Sequence, residues 1–144
     1  MRLLPPAASP FVRAALVAIA TTAPVAAAMA QTAPPILPAL ERALAQGRAA
    51  DLGRLLADRV EVSLPDGSGV YSRAQAPFVL DRFFGEHPAA RFRIDHRMAA
   101  GSAYLVSGRY DAEDGTSMTV QVRLALDGET WTVRALRFDA ARLE

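Results

Sequence analysis

The sequence predicts an α+β fold in which a strongly curved antiparallel sheet wraps on three N-terminal helices, a cone-shaped domain. Three observations carry that expectation. Apolar stripes with helical spacing fill the first half of the chain, and period-two alternation fills the second. Tight turn residues separate the alternating segments, as hairpins require. One amphipathic helix of roughly three or four turns cannot cover both faces of such a sheet, so the helices are expected across one face with the sheet curling around them.

Each element has its own signal. "QTAPPILP" is a Pro-rich lead-in, expected to be loose over 31–35. Ile36, Leu37, Leu40, Ala43 and Leu44 form one stripe, and Gly47 is a natural stop. "AADLGRLLA" follows as a second short helix with Leu52, Leu55 and Leu56 inward; Gly53 weakens it by about 1 kcal/mol relative to Ala. "DRVEVSL" alternates Val60, Val62 and Leu64 against polar residues, "PDGSG" turns the chain, and "VYS" returns. Ser72 and Gln75 have capping-box spacing ahead of a helix with Ala76, Val79, Leu80, Phe83 and Phe84 on one face. Pro77 sits awkwardly, so the regular helix is expected to begin near it after a tight turn. Four strands close the chain: "RFRIDHRM", "GSAYLVSGRY", "TSMTVQVRLAL" and "ETWTVRALRFD". In the first of these, Phe92, Ile94, His96 and Met98 are expected on one side. There are no repeats, and residues 36–144 read as one domain.

The N-terminus reads differently. Arg2 and Arg13 precede the apolar run Ala14–Ala30, which ends in Ala28-Met29-Ala30 before Gln31. That is the pattern of a cleaved signal peptide over 1–30, and it implies a periplasmic or secreted protein. The run is short for crossing ~30 Å of hydrocarbon and contains Pro24, so no membrane span is expected after cleavage. Cleavage removes two arginines and no acid, taking the formal charge from +1 to −1. No basic tract remains to grip phosphates, which argues against a nucleic-acid partner. The chain has no Cys and no Lys, so thiol nucleophiles, disulfides, cysteine metal sites and lysine Schiff bases are excluded. Two histidines, His87 and His96, are too few for a metal centre of usual spacing, and no cofactor motif occurs.

The element order resembles the nuclear-transport-factor-2-like superfamily, the cystatin-like α+β cone shared by ketosteroid isomerases and polyketide cyclases (SnoaL-like). More locally, "VEVSLPDGSGVYSRAQAPFVLDRFF", "FRIDH" and "VRALRFD" are similar to a bacterial family of exported domains of unknown function. The resemblance covers Ala39 to Asp139, with Pro77 and Met98 departing from the pattern. It implies a cone and a homodimer paired through the sheet face. It implies no activity, because one scaffold of this kind serves enzymes, binding domains and assembly modules.

The residues themselves point to a pocket made by His96, Tyr104, Phe83, Met98 and Phe92 inside the cone. There His96 would meet a largely apolar space, as a tied core histidine, a ligand contact or a general base. Acid/base work would also need a buried carboxylate. Asp81 is the nominal partner, although it falls on the polar flank of its helix; Asp95 points opposite to His96. Arg93, Arg109, Arg123 and Arg134 sit mid-strand and suggest a basic ladder on an open sheet face, matched by Asp95 or Glu129. Phe78 lies beside its helix stripe and is a candidate exposed anchor. The reading is an exported, non-catalytic domain that binds a small apolar ligand or a partner chain. The rival is a small-molecule isomerase, cyclase or hydratase using His96 and a carboxylate, and the discriminator is an open cavity on which both converge.

Overall fold

The structure, a computed structural model, describes residues 33–141. The expected signal peptide, residues 1–30, and the start of the lead-in lie outside them. Helices α1 (Leu37–Gln46) and α2 (Ala49–Gly53) lead into strands β1 (Leu56–Leu64) and β2 (Gly67–Ser72). Helix α3 (Ala76–Glu86) follows, then β3 (Ala89–Ala100), β4 (Ala103–Ala112), β5 (Ser117–Asp127) and β6 (Thr130–Ala140).

Local chemistry explains the helix ends. After α1, the amides of Gly47 and Arg48 return to the carbonyls of Leu44 and Ala43, satisfying two orphan acceptors. Ahead of α3, Gln75 N–H donates to Ser72 Oγ at 3.2 Å and Ser72 N–H donates to Gln75 Oε1 at 3.3 Å. The reciprocal pair closes a turn, and the helix itself starts at Ala76. Pro77 therefore sits in the first turn, where its missing N–H has no intrahelical partner to lose.

The antiparallel cone expected from the sequence is not what forms. The six strands make one open, mixed sheet in the order β2-β1-β6-β5-β4-β3. β1 pairs parallel with β6, while every other pairing is antiparallel. β2 and β3 are the two edges, so the sheet is neither closed nor strongly curled. The helices cover one face and leave the other free.

The helix-side face carries the core. Val120, Val122, Leu124, Leu136 and Phe138 from the central strands meet Leu40, Leu44, Leu80, Phe83 and Phe84 from the helices. Four rings interlock there: Phe138 lies 4.6 Å from Phe83 and 5.9 Å from Tyr110, with Phe84 edge-on at 6.3 Å. Tyr110 is fully buried, and its hydroxyl donates to the carbonyl of His87 at 2.5 Å, tying the exit of α3 to β4.

Burial, with Asp114 and Glu113 adding repulsion, pushes the Tyr110 hydroxyl from 10.0 to about 12. A raised folded-state value means that this contribution is complete below pH 10 and disappears as pH rises through 12. Tyr110→Phe is expected to cost about 1 kcal/mol at neutral pH through the lost hydrogen bond. It should also remove this residue's share of the alkaline stability loss, checked by denaturant unfolding between pH 8 and 12.

Candidate functional site

The residues expected to form one pocket divide between the two faces of the sheet. Phe83, Phe92 and Tyr104 are buried on the helix side; Tyr104 packs edge-on to Trp131 at 6.4 Å. His96 and Met98 are exposed on the opposite face. The cause is a bulge in β3. Ile94 pairs with Gly108 but His96 pairs with Ser107, leaving Asp95 without an opposite number. A one-residue shift reverses every later side chain, so the expected alternation holds through Ile94 and inverts afterwards.

The inversion places His96 and Met98 on a free face that has its own architecture. Cross-strand partners share a face, so rows can be followed through the register. One row reads Glu61, Ala135, Arg123, Leu105 and Met98 from β1 to β3. The next reads Ser63, Arg137, Gln121, Ser107 and His96. Together these rows line a groove of about 540 Å³. That is within the usual range for a small-molecule site, and larger than the polar cleft of about 290 Å³ between the β1–β2 turn and α3.

The groove is built of unlike halves. Arg123 and Arg137 stand near its centre on β5 and β6. Leu105 and Met98 make an apolar floor toward the β3 edge, with Met98 56% exposed. Arg137 donates from Nε to Asp139 Oδ2 at 2.8 Å. Arg123 has no ion pair among the described residues.

The basic ladder is partly as expected. Arg93 and Arg109 are direct cross-strand partners beside the groove. Their acidic complement is Asp111, however, and not Asp95 or Glu129. Arg109 Nε donates to Asp111 Oδ1 at 3.0 Å, and Ser117 Oγ donates to the same oxygen at 2.6 Å. The Ser117 hydroxyl, with Arg109 behind it, holds the Asp111 carboxyl below its usual value of 3.8. Arg134 falls at an irregularity between β5 and β6 and reaches Asp127 only at 3.9 Å.

The acid/base constellation considered for His96 does not assemble. Asp81 is exposed on α3, on the other side of the sheet from His96. Glu61 also lines the groove but stands four strands from His96, about 19 Å along the sheet. Tyr110, buried on the helix side, bonds to the His87 carbonyl and does not tie His96. Among the described residues no cluster of three or more His, Asp or Glu is placed to hold a metal, and no helix is long and apolar enough to cross a membrane.

Residues 37–139 match a family described as Domain of unknown function (DUF4783). The chain belongs to that family. A DUF4783 protein from Bacteroides uniformis has a similar structure at 17% identity, with a TM-score of 0.70 over 75% of this chain and 99% of that one. An NTF2-like protein of unknown function from Shewanella baltica is similar at 15% identity and a TM-score of 0.56, over 75% and 90% of the two chains. A hypothetical protein with a ketosteroid isomerase-like fold from Catenulispora acidiphila, in complex with trimethylamine, gives 18% and 0.58 over 76% and 88%. At these identities the likeness is one of fold, so the DUF4783 chain shares the NTF2-like scaffold that its element order resembled. No curated protein matches the sequence.

Proposed function

We propose that this member of the DUF4783 family is an exported binding domain whose working surface is the groove on its free sheet face. One observation carries the reading. The groove, about 540 Å³, joins polar side chains and the arginines Arg123 and Arg137 to an apolar floor, while the helix-side face is filled by the core. Export is supported by the basic start at Arg2 and Arg13, the apolar run Ala14–Ala30 and the Ala-Met-Ala cleavage pattern, which together fit a periplasmic or secreted protein.

A second copy of the chain is the alternative occupant. Val70 and Met98, 60% and 56% exposed, lie toward opposite edges of this face and suit a homodimer paired through the sheet. Face-to-face pairing would nevertheless bring the arginines of two grooves together, and like charges across an interface oppose association.

Native mass spectrometry of the protein purified from an exporting host tests these points together. The expected result is a chain beginning at Gln31 that carries a discrete additional small-molecule mass. A chain retaining Met1 would overturn export. A bare dimer would favour the second copy as occupant, and a bare monomer that takes up no added small molecule would count against the groove as a binding site.

A further inference from the structure

We propose that the groove takes an amphipathic organic acid, with its carboxylate held by Arg123 and Arg137 and its apolar tail laid over Leu105 toward Met98. This rests on the reading of the groove as a binding site and adds the chemical class of what it binds.

The register places the two arginines for one head group. Arg123 pairs with Ala135, and Gln121, two residues earlier on β5, pairs with Arg137. Arg123 and Arg137 are therefore diagonal neighbours on one face, about 7–8 Å apart at the backbone and within reach of each other's side chains. Ala135, directly opposite Arg123, is too short to fill the space beside the guanidinium. Arg137 is oriented by Asp139 through Nε, which leaves its terminal nitrogens as donors. Of the two central arginines Arg123 is the one with no ion pair among the described residues, and a guanidinium presents paired donors that match a carboxylate.

Charge separates an acid from a base or a neutral ligand. On this face the charged side chains of the lining are Arg123 and Arg137 against Glu61, with Asp139 paired to Arg137; Arg97 pairs with Val106 and belongs to the helix-side row. Arg123 is thus the uncompensated cation at the groove's centre, on a chain whose formal charge without residues 1–30 is −1. An anion is favoured at its centre and a cation is opposed.

The tail direction follows from what flanks the arginines. Toward β1 the row continues to Glu61, which repels an anion and offers no apolar surface. Toward β3 it continues to Leu105 and Met98. Arg123 to Met98 is two strand spacings, about 10 Å, room for a short acyl or aryl tail. Methionine suits such a surface because its unbranched thioether adapts to tails of different shape.

Titration of the isotopically labelled protein with octanoate, octylammonium and octanol, followed by amide shifts, tests the assignment. Octanoate is expected to move Leu105, Gln121 and Arg123 saturably, and octylammonium to leave them in place. Arg123→Gln should weaken octanoate by about tenfold or more, the loss of a charge-assisted contact. Arg123→Lys should retain part of the affinity, because the charge remains and the fork is lost. Arg109→Gln, on the same face but outside the groove, should stay within about twofold. Equal binding of octanol or octylammonium at those residues would overturn the acid and leave the groove as a binding site. No shifts with any of the three, together with a bare native mass, would overturn both readings. Concentration-dependent self-association that moves the same amides without added ligand would assign the face to a second copy and overturn the acid.

Discussion

Phe138→Ala is expected to destabilise the domain by about 4 kcal/mol, the usual range for emptying a buried aromatic position. Phe138 is 1% exposed and is the ring that Phe83, Phe84 and Tyr110 share. Removing it opens a cavity between β6 and α3 that three aromatic rings cannot jointly refill by changing rotamer. Total stabilities of natural domains are about 5–15 kcal/mol, so the variant should be close to its limit. Denaturant unfolding of the parent and variant gives the difference directly. Phe78→Ala is the matched control: that ring is 79% exposed, and its loss should change stability by no more than about 0.5 kcal/mol.

Gly108→Ala is the second large effect, and it concerns the device that shapes the groove. Gly108 is buried on β4 opposite Ile94, with the Phe92 ring lying over it. An added Cβ would meet the Arg93 carbonyl oxygen and come within 2.9 Å of the Phe92 ring. The ring has its own packing to lose, and the carbonyl belongs to the backbone of the paired strand. A cost of roughly 3 kcal/mol is expected, lowering Tm by roughly 10–15 °C in a thermal scan. Because the β3 bulge begins at the next pairing, amide shifts around His96 and Ser107 should change as well. A variant with parent-like stability and shifts would show that β3 does not press on Gly108 in this way.

Much of the helix layer was legible in the sequence. The stripe of Leu37, Leu40, Ala43 and Leu44 is buried as its spacing requires, and so are Ala76, Leu80, Phe83 and Phe84. Phe78, displaced from that stripe, is exposed. The inward face of β5 followed its alternation, with Met118, Val120, Val122 and Leu124 in the core, whereas β6 changes phase at Arg134, burying Trp131 and Val133 before it and Leu136 and Phe138 after it. The regular faces depend on side-chain periodicity along one segment, which a single sequence displays.

The candidate site was less legible because it depends on how segments pair. His96 and Met98 follow Phe92 and Ile94 in unbroken alternation, and nothing in "RFRIDHRM" announces an extra residue. The bulge at Asp95 becomes visible only against β4, where Gly108 allows Phe92 and the β3 backbone to come close. A glycine within an otherwise apolar strand was the available signal, since such a position often marks a bulge or a close approach.

Taken by itself, the sequence determined the element types, their order, the faces of most of them and the superfamily they resemble. Tertiary structure decided that β1 runs parallel to β6, that the sheet stays open, and that His96 and Met98 join Arg123 and Arg137 on the free face. The physical reason is range. Periodicity, caps and turns are settled within a few residues, whereas strand direction and register are settled by hydrogen bonds between segments such as 56–63 and 133–137, far apart along the chain.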